Sequence, residues 1–264
     1  MNDQIKGYGS RPVICGSLKD YVPVDCKIKS GVFSRIEIKS HMEKYGVDLS
    51  CCQGTHPSNY ENFCDYLSRS YNDRARPADN TPDSLISPCD GWLTAHFINS
   101  FSMIPCDGYM YSISKLLGDA AVAREFAEGI ALFIRLDQAD PHRFVYIDNG
   151  VMCSSGAVND SENPENMGLY CPRHFSLLST ENFYKIVQVE ICGNSKAIEQ
   201  TDLGESLTFV RGQDKGRFLC DNAAVMLLFK NGAMQPDDEF MVNTGLGKET
   251  RVRRGERIGR AISY

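Results

Sequence analysis

The chain has 264 residues, 42% of them hydrophobic, a formal net charge of -6 and a pI of about 5.4. This length can bury the core of one large or two small globular domains. The acidic balance argues against nucleic acid as a partner, because nucleic-acid-binding surfaces concentrate Lys and Arg.

The cysteines and the amino terminus indicate the compartment. The eleven cysteines include no CxxC pair and have no regular spacing, so they predict neither a disulfide framework nor a zinc site. We therefore expect reduced cysteines, no metal and a cytoplasmic protein. The amino terminus has no apolar signal core, and no stretch approaches the roughly 18 apolar residues of a membrane span. We expect a soluble or peripherally bound chain without an integral membrane segment.

The predicted elements change character along the chain. Residues 1–80 are polar, are interrupted by Gly and Pro and have helical patterns over 34–44 and 60–69, which predicts a mostly helical N-terminal region. Residues 81–264 contain short apolar runs separated by turn residues, which predicts a predominantly antiparallel β-sheet domain with one helix at 120–128. The expected fold class is α+β. The runs that predict strands are GWLTAHFI, ALFIRLD, RFVYIDNG, KIVQVEICG, SLTFVRG, AVMLLFKNG and RVRRGERIG.

Three places could carry chemistry, although each has a plain structural interpretation. Asp90 lies in the turn Ser87-Pro-Cys-Asp-Gly91, where Asp before Gly is usually a turn former. His142 lies between two predicted strands, where a histidine is functional or simply faces solvent. The glycine-rich residues 211–218 lack the GxxxxGK[ST] pattern of a phosphate loop and indicate a turn.

Taken in order, these places resemble blocks of the phosphatidylserine decarboxylase family of self-processing, pyruvoyl-dependent decarboxylases. The resemblance covers residues 65–260 and implies a catalytic domain over 81–264. The matching blocks are Arg76-Pro77 with Ser87-Pro-Cys-Asp-Gly91, Tyr111-Ser-Ile-Ser-Lys-Leu-Leu-Gly118, Asp140-Pro-His-Arg-Phe144, Arg211-Gly-Gln-Asp-Lys-Gly-Arg-Phe218 and Glu249-Thr-Arg-Val-Arg-Arg-Gly-Glu-Arg-Ile-Gly259.

The resemblance implies self-cleavage between Asn222 and Ala223, because residues 222–224 align with the family's Gly-Ser-Thr. In the family, the serine hydroxyl attacks the preceding peptide carbonyl, and elimination from the ester leaves an N-terminal pyruvoyl group. The resemblance makes His142 the base and Asp90 the residue that orients it. The pyruvoyl group would then form an imine with the substrate amine and accept electrons without PLP or metal, with His142 as proton donor.

Alanine at position 223 departs from this chemistry, because a methyl group supplies neither nucleophile nor leaving oxygen. We therefore expect this chain to stay uncleaved and inactive. Two explanations remain open: an engineered serine-to-alanine change that traps the precursor, which the intact Asp90 and His142 favour, or a natural pseudoenzyme. Val145 also departs, because the family has a second histidine there.

The substrate has three candidate interpretations. The N-terminal region has no long apolar stripe or basic face, so the first is a soluble amino acid decarboxylated by a cytoplasmic enzyme. The alternative is phosphatidylserine, converted to phosphatidylethanolamine. The third is a non-catalytic protein that binds an amine ligand in the old pocket. The sequence does not identify substrate-binding residues, and the family resemblance suggests a homodimer.

Overall fold

The computed structural model describes residues 9–12, 31–72, 74–106, 109–158, 172–192, 195–201 and 206–262. In chain order the strands are β1 (Ser10–Pro12), β2 (Ser84–Ile86), β3 (Gly91–Phe97), β4 (Met103–Cys106), β5 (Tyr109–Ser112), β6 (Ile130–Arg135), β7 (Arg143–Val145), β8 (Gly150–Val158), β9 (Arg173–Thr180), β10 (Tyr184–Cys192), β11 (Ile198–Gln200), β12 (Thr208–Phe209), β13 (Asp214–Phe218), β14 (Ala223–Phe229), β15 (Met234–Pro236), β16 (Lys248–Val252) and β17 (Arg257–Ala261). The α-helices are α1 (Ile36–Tyr45), α2 (Phe63–Leu67), α3 (Ile113–Leu117), α4 (Ala120–Arg124) and α5 (Asp238–Gly245).

Nine strands form one antiparallel sheet in the order β1-β16-β3-β6-β14-β10-β9-β8-β12. Strand β14 lies at its centre between β6 and β10, and all seven of its residues are buried. A strand covered on both faces needs a continuous apolar run rather than an alternating one, which explains the sequence AAVMLLF. The central position holds the amino end of β14 rigidly.

Apolar side chains cover both faces of the large sheet. One face packs Leu93, Ile134 and Val225 into the largest core cluster. The other face packs Phe133 and Met226 against α3 and the residues that follow α4. A third cluster lies within the N-terminal region and includes α1 and α2 residues.

Smaller sheets flank the large one. Strands β11, β13 and β7 form a three-stranded sheet, and β15, β17 and β2 form another. Strands β4 and β5 pair as a hairpin. Asp90 and Arg254 lie beside strands β2 and β17 of one small sheet. His142 and residues 219–222 lie beside strands β7 and β13 of the other.

The α+β fold class with a predominantly antiparallel sheet is confirmed. The predicted helix at 120–128 is shorter, because α4 ends at Arg124. The N-terminal region contains helices as predicted, yet it also contributes β1, which pairs with β16. The boundary at residue 80 stays a prediction. No helix of the described residues has the length and apolar content to cross a membrane.

Candidate active site

The predicted cleavage point lies at the first residue of β14. Ala223 is fully buried and pairs in register with Cys192, the last residue of β10. Its carbonyl oxygen accepts a 3.0 Å hydrogen bond from the N–H of Leu136, just beyond β6. The segment is therefore held on both sides by neighbouring strands.

The residues that lead into Ala223 are also held. The side-chain amide of Gln138 donates a 2.7 Å hydrogen bond to the carbonyl of Asp221. Cys192 and Cys220 form a disulfide, which joins the residues just before Ala223 to the end of β10. The expectation that the cysteines are reduced is therefore wrong for this pair; two cysteines distant in sequence meet only because β10 and β14 are neighbours.

His142 lies in the loop that contacts the same segment. Its side chain is fully buried, and its carbonyl accepts a 2.8 Å hydrogen bond from the N–H of Phe218. Its Nδ1 lies 2.9 Å from the carbonyl oxygen of Asp140. Because a carbonyl oxygen only accepts, Nδ1 carries the proton and Nε2 of the neutral ring keeps its lone pair.

The environment of the ring favours this neutral form. Burial lowers the pKa of His142, and the backbone groups of Asp140 and Asp221 oppose this effect only in part. The Asp221 backbone lies near the ring without completing a hydrogen bond to Nε2. An unprotonated Nε2 near the Asp221 backbone can accept a proton, but Ala223, two residues further on, has no hydroxyl to supply one.

Asp90 is buried in a separate cluster. Its carboxylate accepts hydrogen bonds from the hydroxyl of Tyr71 and, at 2.6 Å, from the backbone N–H of Arg254. The guanidinium Nε of Arg76 lies 3.6 Å from the same carboxylate. Burial and the Asp90 carboxylate raise the pKa of the Tyr71 hydroxyl, so Tyr71 stays a donor.

Asp90 and His142 make no direct hydrogen bond in the described part of the chain. Asp140 supplies the ring contact that the resemblance assigned to Asp90. The N–H of Val145 donates a 2.9 Å hydrogen bond to the carbonyl of Pro88. Position 145, where the family has its second histidine, is thus tied to the Asp90 segment. The catalytic roles of Asp90 and His142 stay predictions.

A row of cross-strand partners that includes two arginines crosses the large sheet beside the predicted cleavage point. Ala224 pairs with Arg135, Arg135 with Trp92, and Trp92 with Arg251. Arg251 forms an ion pair with Asp140, the residue whose carbonyl holds His142. With the interstrand spacing of about 4.8 Å, Trp92 lies about 10 Å from Ala224. The row therefore runs across four strands from Arg251, three residues before Arg254, to Ala224, which follows the predicted cleavage point.

Sequence reasoning missed several partners in these clusters. Arg251 and Arg254 belonged to a matched block, so the block itself was the signal for them. Tyr71 lies outside every matched block and had no signal. Among the residues that the structure describes, no group of three or more His, Cys, Asp or Glu side chains is arranged to hold a metal ion.

Comparisons with known proteins agree with the family resemblance over nearly the same range. The family model described as phosphatidylserine decarboxylase matches residues 63–260. A phosphatidylserine decarboxylase proenzyme from Clostridium perfringens is 32% identical over 236 residues, 86% of this chain and 80% of the relative. A proenzyme of the same name from Ruminiclostridium cellulolyticum is 32% identical over 241 residues, 87% of this chain and 79% of the relative. A proenzyme of that name from Clostridium botulinum is 30% identical over 254 residues, 88% of this chain and 86% of the relative.

Proposed function

Because this chain belongs to the phosphatidylserine decarboxylase family of carboxy-lyases, we propose that its substrate class is phosphatidylserine and that Ala223 holds it at the uncleaved, inactive proenzyme stage. The names of its relatives support phosphatidylserine over the free amino acid that the N-terminal region had favoured. No relative named above supports a soluble amino acid, so that first interpretation is given up. The reaction of the family converts phosphatidylserine to phosphatidylethanolamine.

The observation that carries the proposed inactivity is the side chain at position 223, whereas the proposed substrate rests on the names of the relatives. Members of the family depend on a pyruvoyl group, which is made from a serine at the cleavage point. Ala223 occupies that point in the alignment, buried at the start of β14. Its methyl group provides no oxygen, so the residues present do not fit the formation of a pyruvoyl group. The proposal therefore includes no catalytic step by this chain as written.

The intact Asp90 and His142 favoured an engineered trap, but several departures occur together, and their number favours a natural non-processing chain instead. A trap needs one changed residue, the serine. Here Asn222, Ala223 and Ala224 all differ from the Gly-Ser-Thr of the family, and Val145 replaces its second histidine. Val145 is fully buried among apolar side chains, so the position is packed as core.

The surroundings of position 223 nevertheless keep parts of the processing apparatus. Leu136 and Gln138 hold the carbonyl oxygens of Ala223 and Asp221 through hydrogen bonds of 3.0 Å and 2.7 Å. His142 keeps an unprotonated Nε2 near this segment, because its Nδ1 is bonded to Asp140. These contacts orient the chain at the cleavage point without requiring the serine.

The test restores the missing groups and then assays the substrate. A variant with Asn222→Gly, Ala223→Ser, Ala224→Thr and Val145→His is incubated with phosphatidylserine vesicles and, separately, with free serine, tryptophan and ornithine. Formation of phosphatidylethanolamine without amino-acid turnover supports the proposed substrate. Turnover of a free amino acid in preference to the lipid overturns it, and turnover of either by the chain with Ala223 overturns the proposed inactivity.

A further inference from the structure

A disulfide lies at the segment that contains the predicted cleavage point. Cys192 and Cys220 are bonded to each other, and both are buried. Cys192 is also the register partner of Ala223, and Cys220 lies three residues before it. We propose that this disulfide is a redox-operated clamp: oxidised, it holds residues 220–222 against the end of β10, and reduced to two thiols, it lets them move. The proposal rests on the proposed function for the position of the cleavage point.

The pair is surrounded in the fold by cysteines in another state. Five further cysteines of the described residues are free thiols: Cys51, Cys52, Cys64, Cys89 and Cys153. A protein stabilised by a disulfide framework pairs most of its cysteines, whereas a single disulfide among free thiols is typical of a pair that changes redox state. The disulfide therefore fits a switch better than a structural framework.

Hydrogen bonds fix the chain on both sides of the clamp. The N–H of Leu219 donates to the carbonyl of Ala197 at 2.8 Å, and its carbonyl accepts from the thiol of Cys64 at 3.3 Å. At the other end, the carbonyl of Ala223 accepts a 3.0 Å hydrogen bond from the residue just beyond β6. Between these anchors, residues 220–222 have no regular secondary structure, and the disulfide links them covalently to β10. Breaking the S–S bond should therefore loosen these three residues and leave both anchors in place.

The switching reaction needs a dithiol reductant as its co-reactant. The S–S bond breaks, two electrons and two protons pass from the dithiol to the two sulfurs, and the dithiol closes to its own cyclic disulfide. Asp221 and Asn222, which follow Cys220, are partly exposed, so a local opening of this bend lets the reductant reach the sulfur. Buried thiols pack as small apolar groups, so we expect the reduced protein to stay folded.

Reduction also changes what Cys220 can donate. Its Sγ lies 3.4 Å from the carbonyl oxygen of Asn222, which belongs to the carbonyl that a serine at position 223 would attack. A disulfide sulfur carries no hydrogen, whereas a thiol is a weak donor. The reduced Cys220 can therefore hydrogen-bond the oxygen that becomes negative in that attack. A serine at position 223 should consequently cleave the chain faster when the pair is reduced.

Hydrogen exchange of the chain with Ala223 tests the clamp without requiring cleavage. The protein is equilibrated with mixtures of dithiothreitol and its cyclic disulfide, and tandem mass spectrometry follows the linkage between Cys192 and Cys220. We expect the pair to convert reversibly in the folded protein, and residues 220–222 to exchange at least about ten-fold faster after reduction. Residues 225–229 in the centre of β14 should keep their exchange rates.

Two variants make the measurement specific. Cys192→Ala combined with Cys220→Ala removes the clamp, so residues 220–222 should exchange fast with or without reductant. Cys153→Ser, at an exposed free thiol on β8, is the matched control and should keep the parental response. If the double variant does not fold, the parental response to reduction decides alone. A pair that never forms the disulfide, a disulfide reduced only when the protein unfolds, or exchange that reduction leaves unchanged at 220–222 or raises equally over 225–229 overturns the proposal.

The variant with Asn222→Gly, Ala223→Ser, Ala224→Thr and Val145→His extends the test to cleavage. We expect it to split faster with the pair reduced than with the pair oxidised, as followed by intact mass over time. A rate that is equal or higher with the disulfide intact overturns the control of cleavage by the clamp. If this variant remains whole in both states, the proposed function fails, and the exchange measurement still decides the clamp.

Discussion

The backbone N–H of Arg254 donates a 2.6 Å hydrogen bond to Oδ1 of Asp90 and so joins segments that lie 164 residues apart in the chain. Arg76 approaches the same carboxylate at 3.6 Å, which adds a third segment. Two of the sequence blocks that resemble the family therefore meet at one buried side chain. Asp90 acts in this structure as the anchor of the turn 253–256 and of Tyr71.

Removal of the Asp90 charge should destabilise the fold. Asp90→Asn weakens the acceptor for Tyr71 and Arg254 and leaves Arg76 without its counter-ion. We expect the free energy of unfolding, measured with urea, to fall by roughly 2–4 kcal/mol. Asp214→Asn is the control, because that carboxylate, paired with Arg143, is 38% exposed and should contribute no more than about 1 kcal/mol. Equal losses in the two variants would contradict the anchoring role.

The close packing of the turn 253–256 leads to a second prediction, which is steric. Gly255 has φ +79°, and an added Cβ would lie 2.9 Å from the Pro77 carbonyl oxygen. Gly247 has φ +68° with nothing within 4 Å of such a Cβ. Gly247→Ala should therefore lower the free energy of unfolding only by the left-handed backbone penalty of about 1–2 kcal/mol. Gly255→Ala should lower it by clearly more, because the added Cβ also meets the Pro77 segment. Thermal or urea unfolding of both variants checks this order, and the reverse order would show that the turn does not pack on Pro77.

Much of the fold was accessible from the sequence because its strands are apolar runs between turn residues. Strand β3 lies within a predicted run, and β6, β10 and β14 each begin one residue before theirs. Strand β8, Gly150–Val158, escaped prediction because GVMCSSGAV is small and polar and most of its residues are not buried. Helix α5 escaped because its eight residues have no strong apolar period.

The candidate site was less predictable than the strands. The alanine at position 223 could be located by motif alignment, because residues 218–229 are contiguous. The partners of Asp90 depend on tertiary contacts between distant segments, as the bond of Arg254 to Asp90 shows. The Cys192–Cys220 disulfide likewise depends on the pairing of β10 with β14, which spacing alone does not reveal.

His142, buried near the segment that contains the predicted cleavage point, should make stability depend on pH. Burial lowers the pKa of His142 below its ordinary value of 6.5, so in acid the unfolded chain binds a proton that the folded chain resists. This contribution to stability is fully present above pH 6.5 and is lost as the pH falls below it. His96, whose pKa burial lowers to about 4, acts in the same direction.

The His142→Gln variant measures this contribution. Between pH 7 and pH 5 we expect its unfolding free energy to depend less steeply on pH than that of the parent, by at most about 1.4 kcal/mol per pH unit. His56→Gln, at an exposed position, should keep the parental slope. An unchanged slope in His142→Gln would mean that the ring is accessible to solvent in the folded chain.

Intact mass under denaturing conditions tests the central claim most directly, that alanine at position 223 keeps the chain whole. The proteins are the chain as given, the variant with Asn222→Gly, Ala223→Ser, Ala224→Thr and Val145→His, and the same variant with alanine kept at 223. We expect only the serine form to split, into parts of 222 and 42 residues because 264 minus 222 leaves 42. Cleavage of either protein with Ala223, or a folded serine form that remains whole, would contradict the account.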